Sequence, residues 1–370
     1  MFVLLFCKIN SKNILAESYR NKKKVLILLP EKSLQILYMK KCLLFVGTIC
    51  LLLATAMHTN AQDPGFSQFY GNPLYLNPAL AGNKICPRLT FNYRNQWPSI
   101  PASFVTYSAS YDQYVDFLSG GVGLLVVSDQ AGDGLLITNA FSGVYSYRLE
   151  ASRDIVLNAG LQATYQQMSI DDSKLIFADM LTNGTGSSPD LDLIRSSGLT
   201  RSFPDFSAGM LVGYRESIYL GFAAHHLSQP DNGFYSGSGS RQLMKYTIHA
   251  GAIFNLIPAT GFDDNRALPS ISPNILYQQQ GEFRQMNAGL YLNIYPFVAG
   301  LWFRYNFENP DAAIALLGFE YNQFKIGYSY DYTVSRLTNA TGGAHEISVA
   351  WQFACLERST KIKAIKCPTF

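Results

Sequence analysis

From Arg88 to Phe353 the chain alternates apolar and polar side chains with a period of two, one long segment after another. Leu89, Phe91, Tyr93, Asn95 and Trp97 interleave with Thr90, Asn92, Arg94 and Gln96. Ile347, Val349, Trp351 and Phe353 interleave with Glu346, Ser348, Ala350 and Gln352. Such a segment fits only a strand with one apolar and one polar face. About fourteen runs read this way, near 88–97, 103–111, 121–129, 137–148, 154–166, 205–215, 217–226, 243–255, 270–280, 284–295, 299–308, 313–321, 323–333 and 345–353, and no stretch between them is convincingly helical. Many match the ~9–11 residues of a tilted membrane-crossing strand, whereas strands of soluble sandwiches average nearer five or six. Every second connection is mostly short, as at Arg215-Glu216-Ser217 and Asn322-Gln323. The intervening ones include Met168–Pro204, Leu227–Gln242 and Val334–Ala344. Short turns alternating with long loops characterise outer-membrane barrels, short turns periplasmic. The aromatic content of 14% suits interfacial girdles. No blade-length repeat supports a propeller. The expected fold is all-β: a transmembrane antiparallel barrel of about fourteen strands over residues 88–353, an even number that places both chain ends in the periplasm.

The stretch from Asp63 to Gly82 differs. Pro64, Pro73 and Pro78 remove backbone donors and push Asp63, Asn72 and Asn77 away from the helical region. Two Asn-Pro steps five residues apart read as successive turns. Phe66, Phe69, Tyr70, Leu74, Tyr75, Leu76 and Leu80 make the stretch too apolar for a disordered tail. It needs an enclosure, and residues 62–87 read as a plug-like periplasmic or luminal segment.

Ser67-Gln68-Phe69-Tyr70 followed by Asn72-Pro73-Leu74-Tyr75-Leu76-Asn77-Pro78-Ala79-Leu80-Ala81-Gly82 resembles the opening of the PorP/SprF family. Gly120-Gly121-Val122-Gly123 with Asp129-Gln130-Ala131-Gly132, His226-Leu227-Ser228-Gln229-Pro230-Asp231, Gly342-Gly343-Ala344-His345-Glu346-Ile347 and the closing Cys367-Pro368-Thr369-Phe370 are similar to further segments of it, in order, over about residues 62–370. The resemblance implies an outer-membrane protein of the Bacteroidota type IX secretion and gliding machinery. It further implies a non-enzymatic component that handles or displays an exported protein such as a large gliding adhesin, among outer-membrane lipid and periplasmic machinery. The partner-facing or plug residues are then Phe66, Gln68, Phe69, Tyr70, Asn72, Pro73, Tyr75, Asn77 and Pro78, and Asp129, His226, Gln229 and Pro230 form a loop motif. The rival reading is a solute channel of porin or lipid-uptake type, which should lack a large apolar entry segment.

Upstream, Met39-Lys40-Lys41, the apolar run Cys42 to Ala56 and Thr59-Asn60-Ala61 have the parts of a signal peptide over 39–61, cut after Ala61. The run is shorter than the ~20 residues of a spanning helix. Residues 1–38 read as an over-extended start with Met39 the initiator. Nine of the 29 Lys/Arg and two of the 26 Asp/Glu precede the cut, leaving 20 basic and 24 acidic residues and a net charge of −4 in 62–370. Nucleic acid is not implied. Of six cysteines, Cys86, Cys355 and Cys367 follow the cut; Cys355–Cys367, or Cys86 with either, are the conceivable pairings.

No catalytic or cofactor constellation stands out. His225-His226 suggests a metal pair, yet adjacent strand side chains face opposite ways, and His226 reads better as a strand-end residue bonded to a loop. Ser228 beside His226 lacks an elbow motif or a paired acid. Asp129, Asp133, Asp171, Asp172, Asp263 and Asp264 lack calcium-loop spacing and read as solvated turn acids. Arg358, Lys361, Lys363 and Lys366 in the 354–370 tail suit either a solvated periplasmic extension or docking to an acidic periplasmic partner.

Overall fold

Alternation organises the whole wall. In the computed structural model, which describes residues 62–84, 86–183, 188–215, 217–234, 240–257, 268–335 and 341–354 together with 365 and 367, the strands are β1 (Arg88–Gln96), β2 (Phe104–Val115), β3 (Gly120–Ala131), β4 (Leu136–Glu150), β5 (Ile155–Ile170), β6 (Thr200–Tyr214), β7 (Ile218–His225), β8 (Lys245–Ala252), β9 (Phe254–Asn255), β10 (Ser270–Gln280), β11 (Phe283–Ile294), β12 (Phe297–Asn306), β13 (Asn309–Tyr321), β14 (Phe324–Thr333) and β15 (Ala344–Gln352). β9 continues β8 along the same edge of β10, so fourteen positions make up the wall. Each strand pairs antiparallel with its sequence neighbours, and β1 pairs with β15 from Arg88 opposite Gln352 to Gln96 opposite Ala344. The sheet closes on itself and leaves no edge.

The wall is inside-out relative to a water-soluble fold. Leu124, Leu161, Leu301 and Leu317 are among its most exposed side chains, whereas Thr90, Asn92, Ser108, Ser110, Asn158, Thr247, Asn287 and Ser329 are buried. An apolar exterior over a polar interior is what a barrel in hydrocarbon requires.

Because the strands form a meander, successive connections fall at alternate mouths. One mouth, the loop end, carries 171–199, 226–244 and 334–343; the other, the turn end, carries tight turns such as 151–154, 215–217 and 322–323. The alternation is imperfect: 281–282 and 307–308 are tight turns at the loop end, and 256–269 is long at the turn end. The expectation of no helix after Arg88 also fails. β5 and β6 run further than the alternation suggested, and their connection holds two short helices, Ala178–Asn183 and Pro189–Ser197. Six and nine residues are too few for a helical period to stand out against strands.

The segment before β1 fills the lumen. Phe69–Gly71, Pro73–Leu76 and Pro78–Leu80 are three single helical turns, the last two opened by their prolines, as fits a residue with preset φ and no N–H to satisfy. From Phe66 to Asn83 every residue but Tyr75 is buried.

The segment also runs from one mouth to the other. Asp63 bonds to Gln280, the last residue of β10, and to His226, just past β7, both at the loop end. The Gly82 N–H donates to Asp112 near the turn-end terminus of β2. Gln62 therefore lies at the loop end while Phe353 follows β15 at the turn end: strand parity fixes where β1 starts, and the plug crosses the lumen once before it.

The tail is not a free extension where it is described: Ile365 and Cys367 are buried, and the Asn83 amide donates to the Ile365 carbonyl at 2.8 Å. Arg358, Lys361, Lys363 and Lys366 lie outside the described residues, as do 1–61. Cys86 is disulfide-bonded, whereas Cys367 is a free thiol. That removes Cys355–Cys367 and Cys86–Cys367 from the conceivable pairings.

Candidate functional site

The plug is fastened to the wall at four levels. Uppermost, at the loop end, Asp63 meets His226. The His226 Nε2 lies 2.7 Å from Asp63 and its Nδ1 2.7 Å from Asp205 on β6. Burial opposes charge on this ring, yet the Asp63 carboxylate and hydrogen bonds to Asp205 and Asp63 raise its pKa to about 9. Burial likewise opposes charge on Asp63, and His226 with Lys245 overcomes it, holding the carboxyl far below the usual range. Ser228 donates to the same Asp205 at 2.6 Å. With a carboxylate on each ring nitrogen, His226 has no lone pair with which to activate Ser228, so this pair is a tether rather than a nucleophile and base.

The second level is a buried ionic network. The Ser67 Oγ donates to Asp331 of β14 at 2.6 Å and accepts from Arg94 of β1 at 2.7 Å and Arg304 of β12 at 2.6 Å. The two Glu346 carboxylate oxygens accept from the Ser67 and Gln68 backbone N–H groups at 2.7 and 3.0 Å. Arg94 bridges Asp331 at 2.9 Å and Glu346 at 3.1 Å, and Arg304 reaches Asp331 at 3.0 Å. With Asp311 3.7 Å from Arg304, two guanidinium groups face three carboxylates, and a buried cluster of this kind is tolerated only when paired and hydrogen-bonded. The Gln68 amide donates to Ser329 and the Glu346 carbonyl and accepts from Ser348.

Aromatic packing makes the third level. Phe69 sits edge-on to Trp302 with ring centroids 5.1 Å apart, and Tyr70 packs among Tyr219, Tyr291 and His249. Phe66 stacks edge-on against Tyr75, whose hydroxyl donates to the Pro64 carbonyl at 2.6 Å. Across the lumen the Asn72 amide donates to Ser108.

The fourth level is a close approach of backbones. The Asn77 amide donates to the Met210 and Phe222 carbonyls, both at 3.2 Å, while its oxygen caps the turn by accepting from the Ala79 N–H at 2.9 Å. Beneath Asn77 and Pro78 the wall has Gly160 and Gly209. A Cβ on Gly160 would stand 2.3 Å from the Ala79 nitrogen, and one on Gly209 2.0 Å from the Asn77 oxygen. Only residues without a side chain admit the plug here.

The sequence-derived candidates thus divide. Phe66, Gln68, Phe69, Tyr70, Asn72, Pro73, Asn77 and Pro78 all turn inward and are buried, and Tyr75 is half-buried. They face this chain's own wall. Asp129 proves to be a strand residue of β3, accepting from Thr106 at 2.6 Å, not a loop acid. It shares with His226 the lining of a cavity of about 90 Å³ beside Asp63, Pro64 and Tyr75. Gln229 and Pro230 lie in the turn beyond: the Gln229 N–H donates back to the His226 carbonyl, and Pro230 accepts from Gln242. His225 and His226 are both buried, because β7 ends at His225 and His226 takes φ +59°; strand alternation does not apply across that step. No cluster with metal-binding composition occurs among the described residues. Ser67, Arg94, Arg304, Asp331 and Glu346 were missed as a set, although Arg94 and Glu346 already stood on the polar faces of their runs.

Residues 58–351 match the family described as type IX secretion system membrane protein PorP/SprF. The chain belongs to that family. PorP/SprF membership associates it with the secretion machinery and with the outer membrane, in keeping with its closed apolar-faced barrel. No curated protein sequence matches it. Among solved structures it is similar to the toluene transporter TbuX of Ralstonia pickettii (9% identity, 76% of this chain and 93% of that one, TM-score 0.46) and to the CymD monoaromatic hydrocarbon channel (10%, 80% and 95%, TM-score 0.41). A third is outer membrane protein Omp33 of Acinetobacter baumannii (9%, 73% and 99%, TM-score 0.39).

Proposed function

We propose that this PorP/SprF barrel is a closed, non-enzymatic accessory of type IX secretion that assists export or surface display of a secreted protein such as a large adhesin. The observation that carries the reading is the plug: eighteen consecutive residues, 66–83, fill the lumen and are tied to both halves of the wall. A solute channel gains nothing from a lumen filled this way, whereas a scaffold that must not leak does. On this reading the loop end faces the cell surface and the turn end offers the tight turns and tail to periplasmic machinery.

Deleting residues 63–80 tests it. The expected result is a heat-modifiable barrel still in the outer membrane, with loss of the cognate exported protein from the surface and raised conductance in planar bilayers. Normal export with unchanged conductance would reduce the segment to a tether and favour the channel. Orientation has its own check: Thr182→Cys, exposed in the 171–199 loop, should react with an impermeant thiol reagent on intact cells, and Ser152→Cys only after the outer membrane is opened. The opposite pattern would invert the assignment.

A further inference from the structure

The plug is not held uniformly. Residues 66–83 are buried almost without interruption, but Gln62 and Gly65 are exposed and Asp63 and Pro64 half-buried; a Cβ built on Gly65 meets nothing within 4 Å. What keeps these four residues in place is chiefly one carboxylate. Asp63 accepts from His226 at 2.7 Å, Gln280 at 3.1 Å and Gln242 at 3.3 Å, lies 3.6 Å from the Lys245 ammonium, and its N–H donates to Gln280 at 2.9 Å. The Tyr75 hydroxyl on the Pro64 carbonyl is the other contact.

His226 is built for the grip. Both its ring nitrogens face carboxylates at 2.7 Å, so both must carry protons to donate. Asp205 anchors the ring to β6 and is itself fixed by Ser228. The titratable and charged groups around the ring are Asp63 from the plug, Asp205 from β6, His225 from β7 and Lys245 from β8. Behind the held residues lies the cavity of about 90 Å³, with Asp63 and Pro64 on the plug side and Asp129, Gln162 and Gln166 on the wall side.

We propose that Asp205–His226–Asp63 is a latch at the loop end: undoing it swings residues 62–65 out of that mouth and opens the cavity behind them, while the chain from Ser67 onward stays seated in the ionic network. The cavity is then opened and closed from the side of the long loops, and the moving part is the plug's leading end. Two features set its range of motion. Ser67 is fixed by four partners only four residues after Asp63, so the swing is short. Gly65 lies between them as the joint: it is exposed, and even a side chain built on it would meet nothing within 4 Å. The proposal does not depend on which protein the machinery exports.

The test uses the full chain in lipid vesicles with a spin label on Gly65→Cys. In Asp63→Asn and His226→Ala the label should become several-fold more mobile, with the double variant no larger than either single one. Amide exchange at Gly71, in the seated part and bonded to the Gln68 carbonyl, should stay slow. The unsubstituted latch gives an arm that needs no folding of variants: raising pH through about 9 removes one His226 proton, so the same gain in mobility should appear between pH 8 and 10 in the chain carrying only the label. Unchanged mobility in that titration, or loss of protection at Gly71 in step with the freed label, would overturn the latch.

Discussion

Ser67 and Asn77 are ten residues apart in one plug and are held by opposite means. Ser67 and Gln68 are held by charge on the β12–β1 side: four ionised side chains converge on two backbone N–H groups and a hydroxyl. Asn77 to Ala79 are held by fit on the β5–β7 side, where glycines let backbone lie on backbone and one amide spans two strand carbonyls. A buried ionic cluster gives direction and register but is fragile to the loss of any member. A backbone seat gives little direction but tolerates no added volume. A segment fastened both ways can neither slide along the lumen nor roll in it.

That contrast can be broken from either side. The largest effect should come from Glu346→Gln. It leaves Arg94 with Asp331 as its one carboxylate, which it shares with Arg304, and the new amide cannot accept with both heads from Ser67 and Gln68. Breaking one partner from a buried ion cluster costs ~3–5 kcal/mol, so amide exchange at Ser67 and Gln68 should speed up by about two to three orders of magnitude while Ala79 is untouched. Gly160→Ala should cost ~1–3 kcal/mol of overpacking, read as faster exchange at Leu80 and Ala81 with Ser67 unchanged. If each substitution loosens both ends equally, the plug is one rigid body and the contrast falls. A double variant should be additive within ~0.5 kcal/mol. Asn77→Ala, losing the cap and two donors, should cost ~1–2 kcal/mol. The smallest effect belongs to pH. The raised His226 pKa contributes stability that is complete below about 6.5 and fades as pH rises to about 9. The lowered Asp63 pKa contributes above about 3.8 and fades below it. Protection of the Asp63 amide, taken relative to its intrinsic exchange rate at each pH, should therefore be greatest between about 3.8 and about 6.5.

The wall was legible because a membrane barrel writes its two faces into every second residue, and fourteen runs were found where fourteen positions exist. The enclosed character of 63–82 was legible too, since prolines and aromatic side chains have no other stable home. The fastening was not. Ser67 and Glu346 lie 279 residues apart, and nothing in either neighbourhood marks the other. His226 misled because a left-handed residue at a strand end breaks the rule that places His225 and His226 on opposite faces. The two loop helices were hidden by their shortness. Plug direction was invisible as well: counting strands locates Arg88 but says nothing of a segment that recrosses the lumen before it.

That recrossing constrains assembly. The seam between β1 and β15 joins residues about 250 positions apart, a contact whose loop-closure entropy makes it a late event in folding. Once the seam has zipped, a segment lying from mouth to mouth would have to be threaded, aromatic rings and all, through a closed tube. The plug must instead be laid into the open sheet, so that the wall wraps around it as a mould closes on its core. In refolding into vesicles, protection of Ser67 and Gln68 should then appear no later than protection across the seam, and a chain whose plug is added in trans should close empty.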